Sequence, residues 1–292
     1  MSLGKIEEGF YSSALIHIAE LKAVKPELNE ILEFYESTLN AQQEVELYFQ
    51  PDLSIFDNDF FRGRNSEGLP LLMAEDIKAD EDLFNKILED IFRIIRNKRE
   101  EAIPEPFDSC SLAGQQKVLI KSLMEDGFDI ERLADDLKID FPVFYFLIKN
   151  AFSPFISSYA EKLRELVDSR KWLRGCCPVC GREPLIVRLE EETGRRWLFC
   201  SLCHTEWLFR RLVCPFCENE DQELQRYFFV ENDEEHRIDV CDKCKRYIKT
   251  IDTRKGGNVM SLFVENLATL ELDIVAEKEG FEGGDIFLLK EK

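Results

Sequence analysis

CPVCGREPLIVRLEEETGRRWLFCSLCHTEWLFRRLVCPFC, running from Cys177 to Cys217, holds six cysteines in three pairs, each with two residues between its members. A fourth pair of the same spacing, Cys241 and Cys244, follows in CDKC. Nineteen residues separate Cys180 from Cys200 and 23 separate Cys217 from Cys241, so a unit of pair, strands, pair, strand occurs twice. Two residues between thiols allow a tight turn to aim both sulfurs at one ion, and a hairpin brings in the second turn that completes a tetrahedron. Pro178 and Pro215 preset the backbone inside two of these turns. Gly181 follows the first pair, where such a knuckle favours positive φ, but His204, Glu218 and Lys245 hold the matching positions after the other three.

The reading is two four-cysteine metal sites, one built from Cys177, Cys180, Cys200 and Cys203, the other from Cys214, Cys217, Cys241 and Cys244. Sequential pairing explains the repeat better than a cross-brace that joins the first and third pairs. Disulfides belong to oxidising compartments, and dithiol catalysis expects a single pair in a βαβ setting. Zinc would give a closed, redox-silent centre and iron an electron-carrying one; four thiolates suit both. Nearby Arg182, Arg195, Arg196, Arg210, Arg211, Lys243 and Lys245 would soften the field of the thiolates. His204 abuts Cys203 but is surplus to a complete sulfur set, Cys176 reads as a bystander thiol and Cys110 as buried or incidental. His17 falls in a helical stripe and His236 in a charged hairpin, neither with a chemical partner in view. Glu190, Glu191 and Glu192, ahead of Thr193 and Gly194, read as a solvated hairpin end.

Outward from the cysteines, the 292-residue chain is 45% hydrophobic, enough for real cores, and carries a formal charge of −20. Residues 1–170 hold 19 Lys and Arg against 34 Asp and Glu, so the acidity concentrates there. That balance argues against nonspecific nucleic-acid binding and docking on anionic lipid, both of which need basic surface. No apolar run reaches a membrane span, and the opening residues lack a secretory signal, which points to a cytoplasmic protein. Met1 to Leu3, followed by Gly4, reads as an expression remnant. No nucleophile triad, Walker loop or dinucleotide fingerprint is present.

Up to residue 170 the apolar residues return at helical spacing. Leu15, Ile18 and Ala19 begin one stripe; Pro26 opens a helix carrying Ile31, Leu32, Tyr35 and Leu39 toward Phe49; Pro51 to Pro70 reads as a loop. Asp80 begins a strong helix through Leu83, Phe84, Ile87, Leu88, Ile91, Phe92 and Ile95, with Arg96, Lys98 and Arg99 at its end. Further helices are predicted at 111–124, 130–137 and 142–151, with Ser153 and Pro154 capping a last one to about Ser169. From Lys171 the pattern changes to short strands, PLIVRL, RRWLF, EWLFRRL, QRYFFV and HRIDV. Val259 to Glu277 returns to helical spacing. The predicted fold class is α plus small β: an all-helical N-terminal domain over 1–170, two tandem rubredoxin-like or zinc-ribbon four-cysteine modules over 171–212 and 213–258, and a C-terminal helix and tail over 259–292.

The succession CPVCGREP, CSLCHTEW, CPFC and CDKCKRYIK, after a helical region and before a terminal helix, with Glu206, Trp207 and Tyr247, resembles formate dehydrogenase accessory proteins of the FdhE type. The detailed match covers about Trp172 to Phe281, and the N-terminal half is similar in size and helicity. The resemblance implies a bacterial cytoplasmic protein needed for active formate dehydrogenase without itself oxidising formate. Such proteins bind the catalytic subunit of the molybdenum or tungsten enzyme before its export by the twin-arginine pathway, and carry rubredoxin-like modules with iron or zinc. By position the family's metal ligands fall on the eight paired cysteines. Glu218 replaces a common glycine and Ile248 a usual leucine. Two readings follow: an assembly factor, with Trp172, Trp197 and Trp207 as either client anchors or core, or a rubredoxin-like iron protein that passes electrons to the client or senses oxygen for it. The sequence leaves the oligomeric state open.

Overall fold

A computed structural model describes residues 9–54, 58–99, 103, 112, 114–125, 127–230, 233–257 and 259–284. Met1 to Gly4 and Cys110 lie outside the described residues. Among the described residues, seven α-helices precede the cysteine pairs: α1 (Phe10–Val24), α2 (Asn29–Tyr48), α3 (Asn58–Ser66), α4 (Glu81–Lys98), α5 (Gln116–Met124), α6 (Phe128–Leu137) and α7 (Phe141–Leu163). The predicted pattern for α4 holds in detail. The Asp80 carboxylate accepts from the Leu83 N–H at 2.9 Å as N-cap, the buried face is Phe84, Ile87, Leu88, Ile91 and Ile95, and Arg96 and Lys98 occupy the last turn.

Two expectations in this region fail for physical reasons. The stretch from Pro51 to Pro70 contains α3, despite Gly63, because tertiary contacts hold it: Phe61 is buried, and Arg64 pairs with the buried Asp76 while donating to the Leu71 carbonyl at 2.9 Å. Pro154 does not start a helix; it lies inside α7. A proline there leaves the carbonyl four residues back without its usual donor. That carbonyl, on Asn150, instead accepts from Gln42 Nε2 of α2 at 2.7 Å. Ser153 is no cap either, since its hydroxyl donates to the Leu202 carbonyl at 2.8 Å.

The strands form one mixed sheet in the order β3-β2-β1-β6-β5-β4. The first cysteine module supplies β1 (Pro184–Leu189), β2 (Arg196–Cys200) and β3 (Glu206–Phe209); the second supplies β4 (Gln225–Phe228), β5 (His236–Cys241) and β6 (Arg246–Asp252). Neighbours pair antiparallel within each module, and the modules join where β1 runs parallel to β6, with Ile186 opposite Lys249 and Leu189 opposite Asp252. Strand β6 carries no alternating signal in the sequence because a central strand is covered on both faces. From Tyr247 to Asp252 every residue is buried, so no alternation of apolar and polar residues marks it.

One sheet face, through Val187, Leu189, Leu198, Trp207, Phe209 and Ile248, joins the apolar core of α4 and α7. The helical region and the first module thus share one core across residue 170. The other face, through Ile186, Phe199 and Ile251, meets Leu262 and, around it, Phe10 of α1. After a single turn, α8 (Thr253–Gly256), come two helices where one was expected, α9 (Leu262–Ala268) and α10 (Leu270–Lys278). The break at Thr269 frees carbonyls that two lysines take up: Lys249 Nζ donates to Asn266 O at 2.7 Å and Lys25 Nζ to Ala268 O at 3.1 Å. Among the described residues, no helix is long and apolar enough to cross a membrane.

Candidate metal centres

The eight paired cysteines gather into two quartets, Cys177, Cys180, Cys200 and Cys203 in one and Cys214, Cys217, Cys241 and Cys244 in the other, each with its sulfurs within 4.8 Å of one another. In the first, Cys177 Sγ lies 3.5 Å from Cys203 Sγ and Cys180 Sγ 3.4 Å from Cys200 Sγ. In the second, Cys214 to Cys244 and Cys217 to Cys241 are both 3.7 Å. All eight are free thiols, far beyond the roughly 2.05 Å of a disulfide. Metal–sulfur bonds of about 2.3 Å in a tetrahedron set sulfur–sulfur edges of about 3.8 Å. The second quartet matches that figure, and the first is slightly tighter.

Backbone geometry repeats at all four knuckles. The residue after each second cysteine has positive φ: Gly181 at 76°, His204 at 61°, Glu218 at 52° and Lys245 at 58°. At three of them that turn returns an N–H to the first cysteine's carbonyl: Gly181 N to Cys177 O at 3.0 Å, Glu218 N to Cys214 O at 2.9 Å and Lys245 N to Cys241 O at 2.8 Å. The glycine signature is incomplete in sequence and complete in conformation.

Burial pushes the thiols of Cys177, Cys180 and Cys214 up, and that of Cys244 to about 11. Cys200 and Cys217 go down: burial opposes this, but donation from neighbouring thiols and backbone N–H groups outweighs it. Four thiolates this close would repel one another, so holding all four in that form takes a cation between them. The donor set fits zinc or iron, either of which would bind with loss of the thiol protons.

The quartets differ in their surroundings. Every residue from Cys177 to Cys180 and from Cys200 to Cys203 is buried. The helical region covers them: Leu71 N donates to Pro178 O at 2.9 Å, Leu72 N to Val179 O at 2.8 Å, and Ser153 holds Leu202 O. At the second quartet, Cys217 and Cys244 are partly exposed, and Lys243 between the last pair is exposed. The two modules also touch beside the quartets. Arg196 of β2, 4% exposed, donates to Val213 O beside Cys214 at 2.8 Å, and a Cβ at Gly175 would collide with the Pro215 carbonyl oxygen.

His204 stays out of the first quartet: its ring stacks on Phe10 with centroids 3.8 Å apart, Nδ1 lies 3.0 Å from Ser157 Oγ, and burial pushes its pKa down to about 3. Cys176 joins neither quartet; its carbonyl accepts from Trp172 Nε1 at 2.8 Å. Trp172 and Trp207 are core residues, 2% and 0% exposed, and of the three tryptophans only Trp197 keeps partial exposure. Strongly exposed aromatics passed over in the sequence are Tyr48, Phe128, Tyr227 and Phe229. Of the cations, Arg182 donates to the Tyr145 hydroxyl at 3.0 Å, Arg210 pairs with Glu220 and Lys245 with Asp242. His17 and His236 do have a partner: both contact Glu265 of α9, at 3.4 and 3.2 Å. Nothing in the sequence spacing signalled that convergence. Glu191 and Glu192 are exposed at the hairpin end.

Comparison with known proteins fits this architecture. Residues 176–211 match the family model described as FdhE, central domain, and residues 212–289 match FdhE, C-terminal domain. A protein of Aquifex aeolicus named Protein FdhE homolog is 30% identical over 274 residues, covering 92% of this chain and 91% of the relative. The chain belongs to the FdhE family. A Protein FdhE homolog of an Enterobacter species is 27% identical over 292 residues, covering 96% of this chain and 87% of that one. The crystal structure of the FdhE protein from Pseudomonas aeruginosa superposes with a TM-score of 0.62 at 21% identity, over 94% of this chain and 92% of that one. At that identity the likeness establishes the FdhE fold, helical region and cysteine modules together.

Proposed function

We propose that this FdhE family member is a cytoplasmic accessory factor of formate dehydrogenase. It binds the catalytic subunit and serves that enzyme's maturation or activity, without catalysing formate oxidation. Cys177, Cys180, Cys200 and Cys203 hold one metal ion and Cys214, Cys217, Cys241 and Cys244 another, zinc or iron. The observation that carries this reading is the pair of tetrathiol clusters in a chain of this family, each built on four sulfurs at coordination distance. The ions fix the knuckles, the knuckles fix the sheet, and the sheet shares its core with the helices. The result is a rigid surface for a client. The acidic helical region favours a client segment of opposite charge.

The test is capture of the formate dehydrogenase catalytic subunit of the same organism by tagged full-length protein, alongside Cys217→Ser, which alters the outer centre and spares the shared core. Stoichiometric capture by the metal-loaded protein, weakened by the substitution, is the expected result. Absence of capture by a metal-loaded, folded protein would overturn the proposal. The metal found on natively expressed protein distinguishes a scaffold from an electron carrier: two zincs make redox transfer untenable, whereas iron in either centre keeps it open.

A further inference from the structure

The two quartets are alike in donors and unlike in burial, and the difference traces to one cause. Both knuckles of the first module are roofed by the helical region: Leu71 and Leu72 donate to the carbonyls of Pro178 and Val179, and Ser153 of α7 donates to Leu202 O. Its four cysteines belong to the same apolar core as Phe84 and Phe152. Among the described residues the helical region does not roof the second module; the C-terminal segment reaches it instead, with Glu282 N donating to Lys245 O at 2.8 Å and Gly284 lying beside the Phe216 ring. Phe216 and Cys217 in one knuckle, and Asp242, Lys243 and Cys244 in the other, all reach the surface, while Cys214 and Cys241 are buried. One cysteine from each knuckle is therefore partly exposed to solvent.

We infer that the second centre is the exchangeable one: its ion is taken up and given up on the partly exposed side of Cys217 and Cys244, while the first centre keeps its ion as part of the folded core. This rests on the metal reading above. Exchange at a tetrathiolate centre is associative. An incoming donor, a thiolate or a chelator carboxylate, bonds the ion as one metal–sulfur bond breaks, and the released thiolate takes a proton from water; no electron moves. The incoming atom must reach the ion, which the partial exposure of Cys217 and Cys244 permits. At the first centre it must wait for the helical region to lift from the knuckles, a much rarer event. Cys217 and Cys244 are the thiols that leave first, and the ligand that takes the ion is a thiolate or an amine-carboxylate chelator.

The test uses the full-length chain loaded with Zn²⁺ to two thiolate-bound ions. EDTA is added while iodoacetamide traps freed thiols, and alkylated peptides are mapped against time. One ion should leave at least about tenfold faster than the other, with label arriving on Cys217 and Cys244 well before Cys177, Cys180, Cys200 or Cys203. Cys217→Ser should abolish the fast ion and leave the slow rate unchanged; the mapping on the unmodified chain decides the matter should that variant misfold. Release of both ions at one rate, or first labelling in the first quartet, overturns the inference. A chain that never reaches two thiolate-bound ions instead overturns the metal reading, and is seen before EDTA is added.

Discussion

Glu218 holds φ at 52°, a conformation that places Cβ close to the following carbonyl and costs an L-residue about 1–2 kcal/mol. Its N–H must nonetheless return to Cys214 O, so the knuckle keeps the turn and bears the strain. Glu218→Gly should raise stability by up to about 1 kcal/mol, the glycine's own entropy offsetting part of the relief. A shift of the denaturation midpoint in metal-loaded protein measures it. Lys249 poses the opposite case. It is 2% exposed on the central strand, its Nζ lies 2.6 Å from Asp273 Oδ2, and Tyr247 donates to Asp273 Oδ1 at 2.9 Å. Lys249→Met strands a buried carboxylate and should cost about 3–5 kcal/mol, and the further change Asp273→Leu should recover much of that loss. Chemical denaturation of the single and double variants gives both numbers. The first of these features was legible in the sequence, where the position after each pair stood out as a candidate for positive φ. The second was not, because a lysine between Ile248 and Thr250 gives no sign that both sides of its strand will be covered.

At the level of elements, helix α7 shows how a strong local signal loses to a distant partner. A serine followed by proline ordinarily opens a helix, and here the helix runs straight through because Gln42 of α2 supplies the donor that Pro154 removes. Gln42→Leu leaves the Asn150 carbonyl without that donor and should cost about 1–3 kcal/mol. Thermal unfolding of the variant provides the check, and a loss below about 0.3 kcal/mol would mean that the carbonyl finds another partner. The same logic explains the C-terminal segment. Its spacing from Leu262 to Ile274 reads as one helix, while the break at Thr269 depends on Lys249 and Lys25, the second of them far away in sequence. By contrast α4 was fully legible, since its cap, stripe and terminal charges all lie within its own residues. Helix α3 is not legible in its own residues because its support, Asp76 and Leu71, comes from the segment that follows it.

For the whole molecule, the cysteine modules are fastened to the rest by the core beneath the first knuckles and by a polar junction where His17 of α1 and His236 of β5 meet Glu265 of α9. His236 also lies 2.9 Å from Asp233. Burial works against its protonation, and the two carboxylates outweigh burial, so its pKa is raised in the folded protein. A raised value means the contribution is complete below the unfolded pKa of about 6.5 and disappears as pH climbs through the folded one. Stability should therefore fall as pH rises from about 6.5, and His236→Gln should flatten that slope in a series of thermal melts. The division into helices, two thiol modules and a helical end was readable from periodicity and cysteine spacing. The shared core and the full burial of only one quartet were not, because both depend on which surface the helical region covers. On the proposed reading, sulfur alone holds two ions. X-ray absorption at the metal edge, with elemental quantification on natively expressed full-length protein, reads both the count and the donors. Two ions per chain, each with four sulfur neighbours at about 2.3 Å, is the expected result; a metal-free folded protein, disulfide-bonded pairs, or nitrogen and oxygen in the coordination shell would contradict it.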